Sequence, residues 1–127
     1  MVEQAAANPE DLLRSSIARV WNERDGARRL SALKELYAPD AVLNEPDDVA
    51  QGIEAISGRV EGLQRLLGEG VLLEYVGPVL HHHEVAVARW RAGSQTEPLA
   101  TGMDVVRLRE GRVVEMYVFI DPPEASR

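Results

Sequence analysis

From Gly70 onward the chain repeats one pattern, in which apolar runs of strand length are separated by short breaks. The predicted strands cover residues 71–76, 83–91, 99–109 and 112–121, with breaks at Gly77-Pro78, Ala92-Gly93-Ser94 and Glu110-Gly111. Four such runs in succession predict that the second half of the chain forms an antiparallel sheet.

Residues before Gly70 show helical spacing instead. The run Asn8-Pro9-Glu10-Asp11 is typical of a helix start, and apolar residues at helical spacing extend this helix through Trp21 to about Asp25-Gly26. A second short helix has Leu30, Leu33, Leu36 and Tyr37 on one stripe and is stopped by Pro39. A brief strand at 41–43 and a polar loop at 44–48 follow. A third helix covers 52–67. This order predicts an α+β fold, with three N-terminal helices packed on a strongly curved antiparallel sheet that forms a cone with an internal cavity.

The last two strands carry an acid, Asp104, inside an apolar run. If Glu110-Gly111 is a two-residue hairpin loop, counting outward pairs Asp104 with Tyr117. Because side chains alternate between faces, one face holds Asp104, Val106, Leu108, Val113, Glu115, Tyr117, Phe119 and Asp121, and the other holds Met103, Val105, Val114, Met116, Val118 and Ile120. A bulge would shift this parity and reverse the assignment.

The two predicted faces of this hairpin differ in chemistry. The face with Asp104 is mixed polar and aromatic, as expected of a ligand cavity. The other face is nearly pure hydrocarbon, and leaving it in water costs on the order of 25 cal/mol per Å². Helices or another subunit must cover it, and we expect a homodimer formed through the sheet face.

Composition limits the classes of function. The chain has 127 residues, 21 acids against 14 bases and a formal charge of −7, which argues against binding to nucleic acid or to an anionic membrane. Cysteine is absent, so no disulfide or thiolate metal site is possible. The sequence has no apolar stretch of membrane-spanning length and no secretory leader pattern. We expect a single domain over 1–127 with flexible ends at 1–7 and 122–127, located in the cytoplasm.

Several local runs resemble the nuclear transport factor two-like superfamily, which includes ketosteroid isomerases, SnoaL-like polyketide cyclases and limonene-epoxide-hydrolase-type enzymes. The runs are Trp21-Asn22-Glu23-Arg24-Asp25, Tyr37-Ala38-Pro39-Asp40-Ala41-Val42, Gly52-Ile53-Glu54-Ala55-Ile56 and the final hairpin. The resemblance covers nearly the whole chain and implies the cystatin-like α+β cone. Because this superfamily also has members without catalysis, the fold alone assigns no reaction.

The resemblance implies roles for two acids. Glu45, which immediately precedes Pro46, matches the proton-shuttling base of ketosteroid isomerases, and Asp104 matches the aspartic acid that donates a hydrogen bond to the developing enolate. The tyrosine that those enzymes carry on the first helix has no counterpart in the run 15–18. Tyr117 is our own candidate for a replacement phenol. Arg89 and Asp121 match two positions of the epoxide hydrolases, whereas Arg91 stands where those enzymes have an aspartate.

Each candidate also has a structural interpretation. Asp104 in a dry cavity would be a neutral acid able to donate a proton, but it could instead pair with Arg89 or Arg91 of the neighbouring strand. Glu45 is either the base or a solvated loop carboxylate. Asp121 is either catalytic or simply the end of its strand.

The remaining candidates are ligand contacts. Trp21 and Trp90 offer broad faces for a ring-shaped ligand, and core packing is the alternative. Because side chains alternate along a strand, either Trp90 or its neighbours Arg89 and Arg91 face the cavity. The full set of predicted ligand-binding residues is Trp21, Arg89, Trp90, Val106, Phe119 and His83. Consecutive histidines at 81–83 point to opposite faces and cannot all bind one ion, so we predict no metal site, and one of the three is instead a candidate proton shuttle.

Taken together, the patterns and the resemblance predict a small-molecule-binding protein, with isomerase or cyclase activity as the expected function: cofactor-independent acid–base chemistry on an apolar, carbonyl-bearing substrate. A noncatalytic ligand-binding or dimerisation domain of the same fold is the first alternative. Water activation of the epoxide hydrolase type is the second.

Overall fold

Helices come first and most of the sheet afterwards in the computed structural model of the chain, which describes residues 8–94 and 96–123. The helices are α1 (Pro9–Ser16, continued by a π-helical turn at Ile17–Trp21), α2 (Gly26–Leu36) and α3 (Ile53–Leu67). The strands are β1 (Tyr37–Glu45), β2 (Asp48–Gln51), β3 (Leu72–His82), β4 (Val85–Gly93), β5 (Pro98–Arg109) and β6 (Arg112–Ile120). The predicted flexible ends lie outside the described residues, except for Pro122 and Pro123.

The six strands form one sheet in the order β2-β1-β6-β5-β4-β3. The α+β fold class is confirmed, but the sheet is mixed rather than wholly antiparallel because β1 runs parallel to β6. Register shifts interrupt the pairs β1–β6, β3–β4, β4–β5 and β5–β6. Since such bulges bend a strand and increase its twist, they account for the strong curvature of a sheet that does not close on itself.

The first helix begins where its cap residue predicts. The Asn8 side chain accepts hydrogen bonds from the backbone N–H groups of Glu10 (2.7 Å) and Asp11 (3.4 Å), and Pro9 needs no partner at the first position. The α-helix ends earlier than expected, at Ser16. Its last turn widens into the π-helix, with Asn22 N–H donating to the carbonyl of Ile17 at 3.0 Å.

Three boundaries differ from the sequence-based expectation. Tyr37 does not end the second helix but begins β1, and Pro39 lies inside β1 where the pairing with β6 is interrupted and no ladder donor is lost. The predicted loop at 44–48 is only a tight turn, followed by the unpredicted strand β2. Gly77-Pro78 does not end a strand but bulges β3, which continues to His82.

The final hairpin corrects the predicted register. Arg109 pairs with Arg112 as expected, but an irregularity then shifts the strands, so that Asp104 lies opposite Val118 rather than Tyr117. The bulge falls at Val113 and Val114, which are both buried despite being consecutive. From there on the faces of β6 exchange, and Met116, Val118 and Ile120 share the inner face with Asp104.

The core fills the space between the helices and the inner face of the sheet. It includes a fully buried arginine, Arg29, whose side chain is 1% exposed. Its guanidinium donates to the Ser57 hydroxyl (2.9 Å), the Glu23 carbonyl (2.6 Å) and the Gln64 amide oxygen (3.2 Å). These bonds tie α2 and α3 to the loop that follows the π-helical turn.

In the part of the chain that the structure describes, no helix combines the length and apolar character needed to cross a bilayer. The cytoplasmic location stays a prediction.

Candidate functional site

An apolar pocket of about 130 Å³ lies between the helices and the inner face of the sheet. Eleven of its lining residues are apolar, and the two that are not are Asp104 and Glu45. The full lining consists of Ile17, Trp21, Glu45, Leu63, Leu67, Leu73, Trp90, Ala92, Ala100, Asp104, Met116, Val118 and Ile120. A largely apolar pocket with a few polar groups is the usual form of a small-molecule site.

Asp104 is the most perturbed acid of the pocket. It is 5% exposed, and its carboxylate oxygen Oδ2 accepts a hydrogen bond of 2.7 Å from the phenol of Tyr75. Burial raises the pKa of Asp104 from 3.8 to about 7, because the charged form loses its hydration, and the bond from Tyr75 offsets only part of this effect. Near neutral pH the carboxyl group can therefore either donate or accept a proton.

Tyr75 supplies the phenol beside Asp104 in the place predicted for Tyr117. Tyr75 lies opposite Trp90 on β4, Trp90 lies opposite Gly102 on β5, and Asp104 follows Gly102 on the same face. Burial, and next the nearby carboxylate of Asp104, raise the pKa of the Tyr75 phenol well above its ordinary value, so this group remains a donor. The sequence signal for Tyr75 was its alternation with Leu73, a pocket residue, within the predicted strand at 71–76.

Trp90 reaches the pocket because Gly102 leaves room for its indole ring. A Cβ built on Gly102 would lie 2.7 Å from the ring atom Cε2 of Trp90, well inside van der Waals contact. The indole is buried, and its Nε1–H has no hydrogen-bond partner among residues 8–94 and 96–123. Of the two options left open by alternation, the tryptophan faces inward, while Arg89 and Arg91 lie on the outer face.

The π-helical turn places Trp21 against the pocket. The Trp21 indole N–H donates to the hydroxyl of Tyr37 at 3.3 Å, and Tyr37 in turn bonds to the Ser16 hydroxyl at 2.7 Å. The Trp21 carbonyl accepts a bond from the Gln64 amide at 3.0 Å, which satisfies a group that the widened turn leaves free. Trp21 is therefore fixed at both ends.

Glu45 lies at the rim of the pocket, at the end of β1. Arg59 of α3 pairs with its oxygen Oε1, donating from Nε at 2.7 Å, and also reaches Asp48 at 3.4 Å. The Glu45 side chain is 14% exposed, so it is not the freely solvated loop carboxylate of the structural interpretation. All of the hydrogen bonds that Glu45 accepts within the described residues go to Oε1, and Oε2 has none.

Four of the predicted site residues lie on the outer face of the sheet. Tyr117 is 41% exposed and donates to Glu115 at 2.9 Å, and Phe119 is 55% exposed. Arg89 donates to Asp121 at 2.7 Å, and this contact lowers the pKa of the Asp121 carboxyl group. The predicted pocket placement of Tyr117, Phe119 and Asp121 is wrong because the prediction assumed a hairpin without a bulge. Arg89 points outward because it alternates along β4 with the inward-facing Trp90.

Two further predicted contacts also lie away from the pocket lining. Val106 is on the inner face but packs within the core at 1% exposure. His83 lies in the β3–β4 turn with φ of 51° rather than in a strand, and its ring contacts that of His82, with 2.9 Å between their Nδ1 atoms. Among the residues that the structure describes, no three histidine or acid side chains converge as a metal site would require.

Asp104 lacks the arginine partner that its structural interpretation requires. Arg89 pairs with Asp121, and Arg91 pairs with Glu74 at 2.9 Å on the outer face. The hydrogen bond found for Asp104 in the described part of the chain comes from a phenol instead of a cation. The site thus combines a buried acid, two indoles and a rim carboxylate within an apolar enclosure.

Comparison with known proteins agrees with this architecture. The family model described as SnoaL-like domain matches residues 14–116. The chain belongs to the SnoaL-like domain family. No curated protein matches this SnoaL-like domain. The resemblance inferred from the sequence is therefore confirmed at the level of the family.

Solved structures similar to this SnoaL-like domain share its fold. A proposed isomerase of the SnoaL-like family from Agrobacterium tumefaciens is 25% identical, with a TM-score of 0.80 over 88% of this chain and 96% of that one. A proposed polyketide cyclase from Sinorhizobium meliloti is 19% identical, with a TM-score of 0.66 over 85% and 93%. A proposed ketosteroid isomerase from Kribbella flavida is 15% identical, with a TM-score of 0.70 over 93% and 81%.

Proposed function

We propose that this SnoaL-like domain is an isomerase- or cyclase-type enzyme that moves protons on an apolar, carbonyl-bearing small molecule without a cofactor. The observation that carries the proposal is Asp104, an acid with a pKa of about 7 on the wall of an apolar pocket. A carboxyl group that stays protonated near neutral pH can donate a hydrogen bond to a carbonyl oxygen as negative charge develops there. The name of the Agrobacterium tumefaciens relative agrees with this class of reaction.

The proposed reaction needs a base as well as a donor. In our proposal Glu45 removes a proton from the carbon next to the carbonyl through its oxygen Oε2, while Arg59 holds the other oxygen in place. The electron pair of the broken C–H bond moves onto the carbonyl oxygen, where Asp104 stabilises it. Tyr75 remains bonded to Asp104 and keeps the carboxyl group oriented. Return of the proton from Glu45 to a carbon atom completes an isomerisation.

The test is exchange of the α-hydrogens of cyclopentanone for deuterium in heavy water, followed by NMR. We expect Glu45→Gln to slow protein-catalysed exchange at least a hundredfold, because it removes the base while keeping an oxygen for Arg59. Asp121→Asn is the matched control, since it makes the same acid-to-amide change on the outer face, and it should leave the rate unchanged. Equal rates in the wild type and Glu45→Gln, or no exchange above buffer, would exclude this chemistry for this substrate class.

A noncatalytic ligand-binding domain remains the second candidate. The observation that favours it is the engagement of Glu45 by Arg59, because an ion pair that joins β1 to α3 gives this acid a structural role. The discriminating result is a ligand that binds the pocket and protects the fold against heat while no exchange occurs in either variant.

We also propose that the domain self-associates through the outer face of the sheet. With the corrected register this face carries Met103, Val105, Tyr117 and Phe119, and the two aromatic rings are 41% and 55% exposed. Exposed apolar area of this kind is stabilised by burial against a second copy. Phe119→Glu should convert a dimer to a monomer in sedimentation at micromolar concentration, and a wild type that sediments as a monomer would refute the proposal.

A further inference from the structure

The indole N–H of Trp90 stands out among the polar groups of the pocket because it is buried without a partner. Trp90 is 8% exposed, and its Nε1 makes no hydrogen bond within residues 8–94 and 96–123. The other indole differs, since Trp21 Nε1 donates to Tyr37. A buried unsatisfied donor costs free energy, and in native proteins such a group calls for a specific explanation. A bound ligand that accepts the hydrogen bond is one such explanation.

The position of the indole places this donor near Asp104. The ring lies over Gly102, with its atom Cε2 2.7 Å from the point where a Cβ on residue 102 would lie, and Nε1 is bonded directly to Cε2. Asp104 follows two residues along β5 on the same inner face. Trp90 and Asp104 both line the pocket. Two donors on one wall, an indole and a neutral carboxyl group, match the two lone pairs of a carbonyl oxygen.

The size of the pocket limits what can carry that oxygen. Pockets for drug-sized ligands run from about 300 to 1,000 Å³, whereas an engineered apolar cavity of about 150 Å³ holds benzene. The pocket here measures about 130 Å³. It therefore accommodates one small ring.

We propose that the pocket selects single-ring ketones whose carbonyl oxygen accepts hydrogen bonds from both Trp90 Nε1 and Asp104. This inference deepens the proposed function, on which it rests for the protonated state of Asp104, and adds Trp90 as a specificity-determining residue. Ligands with the same shape but without the oxygen leave the indole unpaired and bind more weakly. A site that offers hydrogen-bond donors discriminates against such analogues for this reason.

Cyclopentanone and methylenecyclopentane are the matched probes, because they differ only in the exchange of an oxygen for a CH₂ group. Titration of ¹⁵N-labelled protein should move the Trp90 indole proton downfield with cyclopentanone and not with methylenecyclopentane. The Trp21 indole proton, already bonded to Tyr37, is the internal control and should stay in place. The variants Trp90→Phe and Trp21→Phe assign the two resonances.

Binding to the variants provides the quantitative test. We expect Trp90→Phe to weaken cyclopentanone binding about fivefold to tenfold, as the loss of one hydrogen bond predicts, and to change methylenecyclopentane binding less than about twofold. If Trp90→Phe fails to fold, the titration of the wild type alone decides.

Three results would overturn the proposal: an indole proton of Trp90 that does not respond to cyclopentanone, an equal loss of affinity for both probes, or no binding of cyclopentanone at all. These results are distinguishable from failure of the proposed function. Exchange that depends on Glu45 with an unresponsive Trp90 would refute only the donor role of the indole. Binding through Trp90 without exchange would refute only the reaction.

Discussion

Replacing Asp104 by asparagine should change how stability depends on pH. The folded protein keeps the Asp104 proton up to about pH 7, whereas the unfolded chain releases it near pH 3.8. Between these two values the unfolded state binds fewer protons, so the free energy of unfolding falls as the pH rises. This pH dependence of the free energy of unfolding has the opposite sign to that of an ion-paired acid, because burial disfavours the charged form of Asp104.

The magnitude follows from the pKa difference. A difference of about three pKa units corresponds to about 4 kcal/mol, at 1.36 kcal/mol per unit, and the whole of it is lost above pH 7. Between pH 5 and pH 8 the contribution of Asp104 to the free energy of unfolding falls by roughly 2–3 kcal/mol. Asparagine does not titrate and can still accept the Tyr75 hydrogen bond. The stability of Asp104→Asn relative to the wild type should therefore rise by roughly 2–3 kcal/mol between these two pH values.

Urea unfolding followed by circular dichroism at pH 5 and pH 8 measures this difference. The comparison cancels the pH dependence of every group that both proteins share. Asp121→Asn is the control, because the pKa of Asp121 is lowered by Arg89 and its titration lies below the window. A stability difference between Asp104→Asn and the wild type that is the same at pH 5 and pH 8 would refute the buried, protonated acid and, with it, the proposed chemistry.

Two further predictions concern the groups that shape the pocket. Gly102→Ala should destabilise the fold by about 3 kcal/mol in urea unfolding, because the added Cβ meets the carbonyl of Phe119 as well as the Trp90 ring. Gly58→Ala in α3 meets no atom within 4 Å and should instead stabilise by roughly 0.5–1 kcal/mol, so equal effects would contradict the packing argument. Arg29→Met should lower the free energy of unfolding by about 3 kcal/mol, since it leaves buried hydrogen-bond partners unpaired. Arg29→Lys should restore less than half of that loss, because lysine lacks the planar, forked guanidinium group.

The sequence predicted the fold more completely than the site. Helical and strand periodicities located all three helices and five of the six strands, because these patterns reflect which side chains face the core. The strand β2 has only four residues, too few for a period to show. The π-helical turn at Ile17–Trp21 could not be predicted from the sequence either, since widening one helical turn by a residue leaves no pattern of side-chain types.

One bulge explains the misplacement of Tyr117, Phe119 and Asp121. The consecutive valines 113 and 114 break the alternation of β6, and both are buried. A single-residue shift sends every later side chain to the opposite face, which removed Tyr117 and Phe119 from the predicted cavity together. Asp104 stayed in place because the bulge lies in β6 and not in β5. The cross-strand ion pair of Arg107 with Glu115 on the outer face follows the shifted register and was the signal that sequence reasoning missed.

The charged residues of the two sheet faces have different roles, one in stability and the other in function. On the outer face the acids of neighbouring strands meet arginines, as in the pairs Arg89–Asp121 and Arg107–Glu115. Asp104 faces inward, where its neighbour is the phenol of Tyr75. Above pH 7 the buried charge of Asp104 lowers the free energy of unfolding by several kcal/mol relative to a neutral isostere. A group that weakens the fold at neutral pH does not serve the fold. Its burial in an apolar pocket, beside an indole that finds no partner in the described part of the chain, is better explained by a ligand that meets both groups.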